Sequence, residues 1–336
     1  MTASLHDRLL ATLEDVADVW LVSKLRDPRL DFPDENRLNV FIGDVHLVTR
    51  RRPFAFSTNA EATLTAAARG LRNLKQEALP GNVVVYQIGD LLDLWREADS
   101  FDPRADVPCA IEDSHPALIE ALYDPDLNTQ FVLGNHDYDL YQFANYDLWR
   151  RYVYPSPSVL VTHGDIFDWV EGLPDRVQQF FVYLFSPKVQ PGRMQLAAMR
   201  PFNQQIGRRD QAKDRAQAGA APIGKLTRPA SAAAAARFNV QDACSPPEML
   251  KFLEAARAKC ADASAQFGLG LTTAVIGHTH HARIAVHEGG DKLFALVDCG
   301  AWIENCVTED DPSPRPNAQI AALGANEIRI YQLAAK

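Results

Sequence analysis

Val83-Val84-Val85-Tyr86-Gln87-Ile88-Gly89-Asp90-Leu91-Leu92-Asp93 is an apolar, β-branched run that stops at a glycine and two carboxylates. Such a run reads as a buried strand followed by a loop. The glycine lets the backbone turn sharply and lets a ligand approach closely. The pattern recurs along the chain. Residues 38–42 lead into Gly43-Asp44-x-His46, and residues 131–133 into Gly134-Asn135-His136-Asp137. Residues 159–162 end at His163-Gly164-Asp165, and residues 273–276 at Gly277-His278-Thr279-His280. Helical patterns fill the intervals, notably 61–78 and 138–151. Alternating strands and helices predict an α/β fold with a largely parallel sheet. Polar groups at the C-terminal ends of parallel strands converge on one edge, where open α/β folds bind ligands. Five distant segments are therefore expected around one point.

Working outward, Leu5, Leu9, Leu10, Leu13, Val16, Trp20 and Leu25 recur at helical spacing. They predict an N-terminal helix within residues 1–30, packed on the body and broken by Pro28 and Pro33. Residues 31–185 and 243–336 form the expected main domain. Residues 186–242 differ: they carry ten Lys or Arg against three Asp and an alanine run at 232–236. They read as a basic helical insertion or lid, with a solvated basic surface segment as the plain alternative.

Composition sets the bounds. A chain of 336 residues, 47% hydrophobic and 23% charged, suits a globular protein with a substantial core. The net charge of −9 argues against nucleic-acid binding over the whole surface. Cys109, Cys244, Cys260, Cys299 and Cys306 are dispersed and read as reduced thiols. No apolar run approaches the roughly 20 residues that span a bilayer, and the N-terminus lacks a signal layout, so a cytoplasmic location is expected.

The recurring groups suit phosphate-ester hydrolysis. Two cations roughly 3.5–4 Å apart neutralise the phosphate, bring the pKa of a water towards about 7 and stabilise the leaving oxygen. Mixed imidazole and oxygen donors favour Mn, Fe, Zn or Co over Mg or Ca. Any one of these histidines alone reads as an ordinary core or surface residue. His6, His115, His281 and His287 lie outside the expected set, and Asp93, Asp165 and Asp168 admit local turn bonding as well as a supporting role.

In this order the blocks closely resemble the calcineurin-like metallophosphoesterases, whose pattern runs Asp-x-His, Gly-Asp-x-x-Asp, Gly-Asn-His-Asp/Glu, His, Gly-His-x-His. The resemblance covers residues 39–302, interrupted by the basic insertion. It implies a four-layer αββα sandwich of two mixed β-sheets flanked by helices, and a small phosphorylated substrate. It also implies two divalent metal ions, with manganese first. By position, one metal takes Asp44, His46 and His280; the other takes Asn135, His163 and His278; Asp90 bridges them. His136 becomes a phosphate-facing catalytic group that Asp137 holds and polarises, and the nucleophile a metal-bound hydroxide.

Finer features resemble one branch, the UDP-2,3-diacylglucosamine pyrophosphatases of lipid A synthesis: Gly89-Asp90-Leu91-Leu92-Asp93-Leu94-Trp95, the insertion after His163-Gly164-Asp165, and Gly300-Ala301-Trp302. That likeness implies an acyl groove over Phe180, Phe181, Val182, Leu184 and Phe185, with peripheral lipid or membrane-surface contact. It would also bring Arg193, Arg200, Arg208 and Arg209 to the pyrophosphate. An apolar helix closing the core is the plain reading of the aromatic residues. Two departures are that the branch commonly has arginine where this chain has His136, and that this chain is longer. Leu94-Trp95, in place of Arg-Gly, disfavours a protein phosphatase. The resemblance thus implies a dinuclear metal-dependent phosphoesterase acting on a phosphodiester, pyrophosphate or phosphomonoester bond; the lipid A pyrophosphatase, a nucleic-acid phosphodiesterase and a non-catalytic metal-binding scaffold are the alternatives, and the oligomeric state is open.

Overall fold

Val40, Ile42, Val83 and Val85 enter one hydrophobic cluster, whereas the alternate residues Phe41, Tyr86, Ile88 and Val132 enter another. This is the period of two expected of strands covered on both faces. The computed structural model describes residues 3–30, 32, 36–49, 58–78, 81–94, 97, 106–137, 139–140, 146, 149–169, 247–289, 292–302 and 318–336. Within them, two mixed β-sheets pack face to face and helices cover both outer surfaces.

The first sheet runs β1 (Ala17–Arg26), β11 (Glu327–Ala335), β10 (Ala318–Gly324), β2 (Leu38–Ile42), β3 (Val83–Ile88), β4 (Gln130–Val132). The second runs β5 (Tyr152–Ser156), β6 (Val159–Thr162), β7 (Thr273–Ile276), β9 (Lys292–Asp298), β8 (Arg283–Gly289). Strands β2, β3 and β4 are mutually parallel, as are β6, β7 and β9; the remaining pairings are antiparallel. Helices α1 (Leu5–Val16), α2 (Thr58–Glu77), α3 (Val107–Glu112) and α4 (Pro116–Leu122) contribute to the core on the outer face of the first sheet. On the second sheet, α5 (Asp165–Trp169) and α6 (Pro247–Phe267) do the same. In α6, Leu253, Ala256, Cys260 and Ala263 are buried at helical spacing against Leu160, Ala274 and Leu296. Truncating a buried leucine such as Leu253 to alanine costs about 2–5 kcal/mol.

Three sequence expectations change. The N-terminal helix ends at Val16, and residues 17–26 form strand β1, antiparallel to β11. Val19-Trp20-Leu21-Val22 is rich in strand-favouring residues, and its partner lies some 310 residues away, beyond the reach of local periodicity. The motif-bearing strands do not share one sheet: β2, β3 and β4 lie in the first, β6 and β7 in the second. At the end of the expected 138–151 helix, Arg150 instead bridges β4, accepting from Leu133 N–H at 2.7 Å and donating to Phe131 O at 3.0 Å. The insertion at 186–242, its four arginines and the Phe180, Phe181, Val182, Leu184, Phe185 group lie outside the described residues. Among the described residues no helix is long and apolar enough to cross a membrane.

Candidate metal centre

Five loops leave β2, β3, β4, β6 and β7 and meet where the two sheets face one another. Backbone bonds draw them together: the Asp90 carbonyl accepts from Val45 N–H at 3.1 Å and His46 N–H at 2.7 Å, and His163 O accepts from Gly277 N–H at 3.0 Å. The Gly300-Ala301-Trp302 stretch runs beside Asp44, whose carbonyl accepts the Trp302 N–H at 2.7 Å. His46, Asp90, His278 and His280 all have positive φ, between 50° and 68°. Each such non-glycine residue costs about 1–2 kcal/mol, so strain is concentrated at this point. Gly134 is required for approach, because a Cβ there would stand 2.0 Å from Asp90 Oδ1.

The side chains crowd their donor atoms. His280 Nε2 lies 3.1 Å from both Asp44 Oδ2 and His46 Nε2; His163 Nε2 lies 3.3 Å from Asp90 Oδ2 and 3.6 Å from Asp44 Oδ1. His46 Nε2 is 3.6 Å from Asp90 Oδ2. Ligands bonded to one cation at about 2.0–2.2 Å are spaced roughly 3–3.5 Å apart, so these distances suit a shared ion. Three groups of possible ligands result: Asp44, His46 and His280; Asp44, Asp90 and His163; and His46, Asp90 and His136. Asp44 Oδ1, Asn135 Oδ1 and His163 Nε2 are buried without a hydrogen-bond partner among the described residues. Buried polar atoms left unpaired in this way need an explanation, and a cation supplies one. His278 packs edge-on against His163, ring centroids 4.9 Å apart, and its backbone N–H donates to Asp44 Oδ2 at 2.8 Å.

The electrostatics agree with the geometry. Burial alone would raise the carboxyl of Asp44, but the imidazoles of His163 and His280 bring it down to about 2. Asp90, equally buried, is held well below the carboxylate range by His163, His136 and His46. His163 is raised well above its ordinary value despite burial, because Asp90 and Asp44 face it. A crowded set of buried anions is a place for positive charge.

Supporting groups fix the imidazoles. Asp165 Oδ1 lies 3.2 Å from His163 Nδ1, and its other oxygen pairs with Arg151. Asp93 bonds His136 Nδ1 through Oδ1 at 2.7 Å and His46 Nδ1 through Oδ2 at 3.1 Å. Such bonds select the ring tautomer and orientation. The expected pairing of Asp137 with His136 is therefore corrected. The Asp137 oxygens accept from Leu91 N–H at 2.9 Å and Gly134 N–H at 2.6 Å, fastening the loop behind the site. Burial and the Asp90 charge push Asp137 up to about 8. Sequence reasoning missed Arg151 and Asp298. The latter had a signal, since residues 292–298 are one more apolar run ending at a carboxylate with a glycine close behind.

Fold and donor set together define a metallophosphoesterase. A family model for calcineurin-like phosphoesterases matches residues 40–282, and the chain belongs to that family of metal-dependent phosphoester hydrolases. A relative, the UDP-2,3-diacylglucosamine hydrolase of Stenotrophomonas maltophilia (strain K279a), is 26% identical over 246 residues, which cover 70% of this chain and 83% of that protein.

Proposed function

We propose that the chain hydrolyses a phosphodiester or pyrophosphate bond at a centre of two divalent cations, manganese first, with Fe, Zn or Co as substitutes. Asp44, His46 and His280 are assigned to one cation, Asn135, His163 and His278 to the other, and Asp90 to both. The observation that carries this reading is a set of buried polar atoms without a hydrogen-bond partner among the described residues, Asp44 Oδ1, Asn135 Oδ1 and His163 Nε2, with His163 Nε2 3.6 Å from Asp44 Oδ1 and 3.3 Å from Asp90 Oδ2. When bound, the cations would neutralise phosphate oxygens and bring the pKa of a water towards about 7. The chain's own residues orient and protonate. His136, its Nδ1 bonded to Asp93 at 2.7 Å, is assigned to the phosphate or the leaving oxygen. Its backbone N–H, donating to Asp90 Oδ1 at 2.8 Å, holds it in register with the bridging carboxylate.

The favoured substrate is UDP-2,3-diacylglucosamine, cleaved at its pyrophosphate. The name of the Stenotrophomonas relative and the resemblance around Gly89-Asp90 and Gly300-Ala301-Trp302 support it. In this reading residues 31–185 and 243–336 are the hydrolase body. Residues 186–242 are a lid, with Arg193, Arg200, Arg208 and Arg209 at the pyrophosphate and an acyl groove preceding them.

The deciding experiment offers this nucleotide sugar, dinucleotides, cyclic nucleotides, bis-p-nitrophenyl phosphate and short nucleic acids with Mn, then repeats each assay with chelator. Chelator-sensitive preference for the nucleotide sugar supports the proposal. Preference for nucleic acid, with steep salt dependence, would redirect it to a phosphodiesterase of that class. Metal binding with no hydrolysis of any compound would leave a scaffold and overturn it.

A further inference from the structure

Thr279 stands between two proposed cation ligands but has another task. Its hydroxyl donates to Asp298 Oδ2, and the other oxygen of Asp298 accepts the Gly300 N–H at 3.0 Å. Asp298 is wholly buried at the end of β9, in register with Ile276 at the end of β7. From that position it touches two loops. One follows β7 and holds His278 at φ 68° and His280 at φ 61°. The other follows β9, and its Gly300 O accepts the Asp44 N–H at 3.3 Å while Trp302 N–H donates to Asp44 O at 2.7 Å.

Left-handed backbone is unfavourable for histidine, so the loop after β7 needs external ties to persist. The Thr279 N–H bonds Gly277 O at 2.8 Å, within the loop itself. The hydroxyl bond to Asp298 reaches outside it and anchors the loop to the neighbouring strand. We infer that Thr279 and Asp298 are positioning residues whose hydrogen bond holds His278 and His280 toward the cations and ties that loop to the segment carrying Asp44. The inference rests on the assignment of His278 and His280 as ligands, and extends it to residues that bind neither cation nor substrate.

The test titrates the metal-free full chain with Mn(II) alone and reads free Mn by electron paramagnetic resonance. Wild type, Thr279→Val, Thr279→Ser and Asp298→Ala are compared, with thermal unfolding of each metal-free protein alongside. Thr279→Val is expected to weaken Mn binding about 10–100-fold, as loss of an outer support for metal ligands does. Thr279→Ser, which keeps the hydroxyl, should bind like wild type. Wild-type affinity in Thr279→Val overturns the inference. Equal weakening in the valine and serine variants overturns it too, since serine keeps the hydroxyl and the loss would then not follow the hydrogen bond. If Thr279→Val fails to fold, Asp298→Ala decides: it removes both acceptors, so weakened binding supports the inference and wild-type affinity overturns it. A wild-type chain that binds no Mn would instead sink the metal centre itself, a distinguishable outcome.

Discussion

Asp93 Oδ1 lies 2.7 Å from His136 Nδ1, while the other oxygen of the same carboxylate is 3.1 Å from His46 Nδ1. One buried anion thereby sets the orientation of a proposed cation ligand and of the proposed proton donor. Burial would raise Asp93, yet the two imidazoles hold it far below the usual carboxylate range. Asp93→Asn replaces one acceptor oxygen with a donor, so one ring must change tautomer or lose its bond. Mn affinity should fall about 10–100-fold and turnover should fall with it. Calorimetric Mn titration beside steady-state kinetics checks this; a variant unchanged in both would remove Asp93 from the machinery.

Asp90 and His136 should separate in their effects. Asp90→Asn takes charge from the carboxylate between the two donor sets, so metal content and activity should drop together. His136→Ala should keep the metals and slow turnover about 10²–10⁴-fold, the range of a general acid. Elemental analysis of the purified variants decides the point. His136 also lies near enough to His46 and Asp90 to serve as a third donor, and metal loss in His136→Ala would reassign it as a ligand.

Gly134→Ala tests the close approach of β4 to the centre. The added carbon would stand 2.0 Å from Asp90 Oδ1 and 2.5 Å from Asp90 N, and backbone cannot yield as a side-chain tip can. Displacement of Asp90 by even 1 Å should cost on the order of 10² in kcat/KM. Wild-type activity in the alanine variant would contradict the described approach.

Acid should loosen the β1–β11 edge. Glu327 is buried, bonds Arg329, and lies 3.1 Å from Lys24. Burial opposes its ionisation, but Arg329 and Lys24 lower its pKa below the ordinary 4.5. A carboxylate depressed on folding contributes its full stability above the unfolded value and loses it as pH falls through the folded one. Glu327→Gln should therefore cost about 1.5–3 kcal/mol at pH 7, as loss of hydrogen bonds to a charged group does. The difference should shrink below pH 4.5. Urea midpoints of both proteins at pH 7 and pH 3.5 measure it, and a constant gap would refute the linkage.

How much was legible depended on range. Asp44, His46, Asp90, His163 and His280 could be read because each donor follows a strand whose apolar run is local. What those strands pair with is not local, so the division into two sheets emerged from family resemblance and not from periodicity. Trp20 and Leu25 continue the spacing of α1 by coincidence of period, while β1 is decided by its partner β11. Asp137 is adjacent to His136 in sequence, and the family resemblance assigns it to that imidazole. The turn instead directs Asp137 to the amides of Leu91 and Gly134, leaving His136 to Asp93 from another loop. Adjacency in the chain was a poor guide to adjacency of side chains there.

Strand β10 lies between β2 and β11, hydrogen-bonded to both. The strand that delivers Asp44 thus acquires its second neighbour only after residues 318–324 have been translated. During synthesis, every proposed ligand emerges from the ribosome before the hairpin that completes their supporting sheet. Assembly of the cage accordingly follows translation of residues 318–324, and a nascent chain halted before residue 318 would carry all the ligands with an open seam beside the first of them.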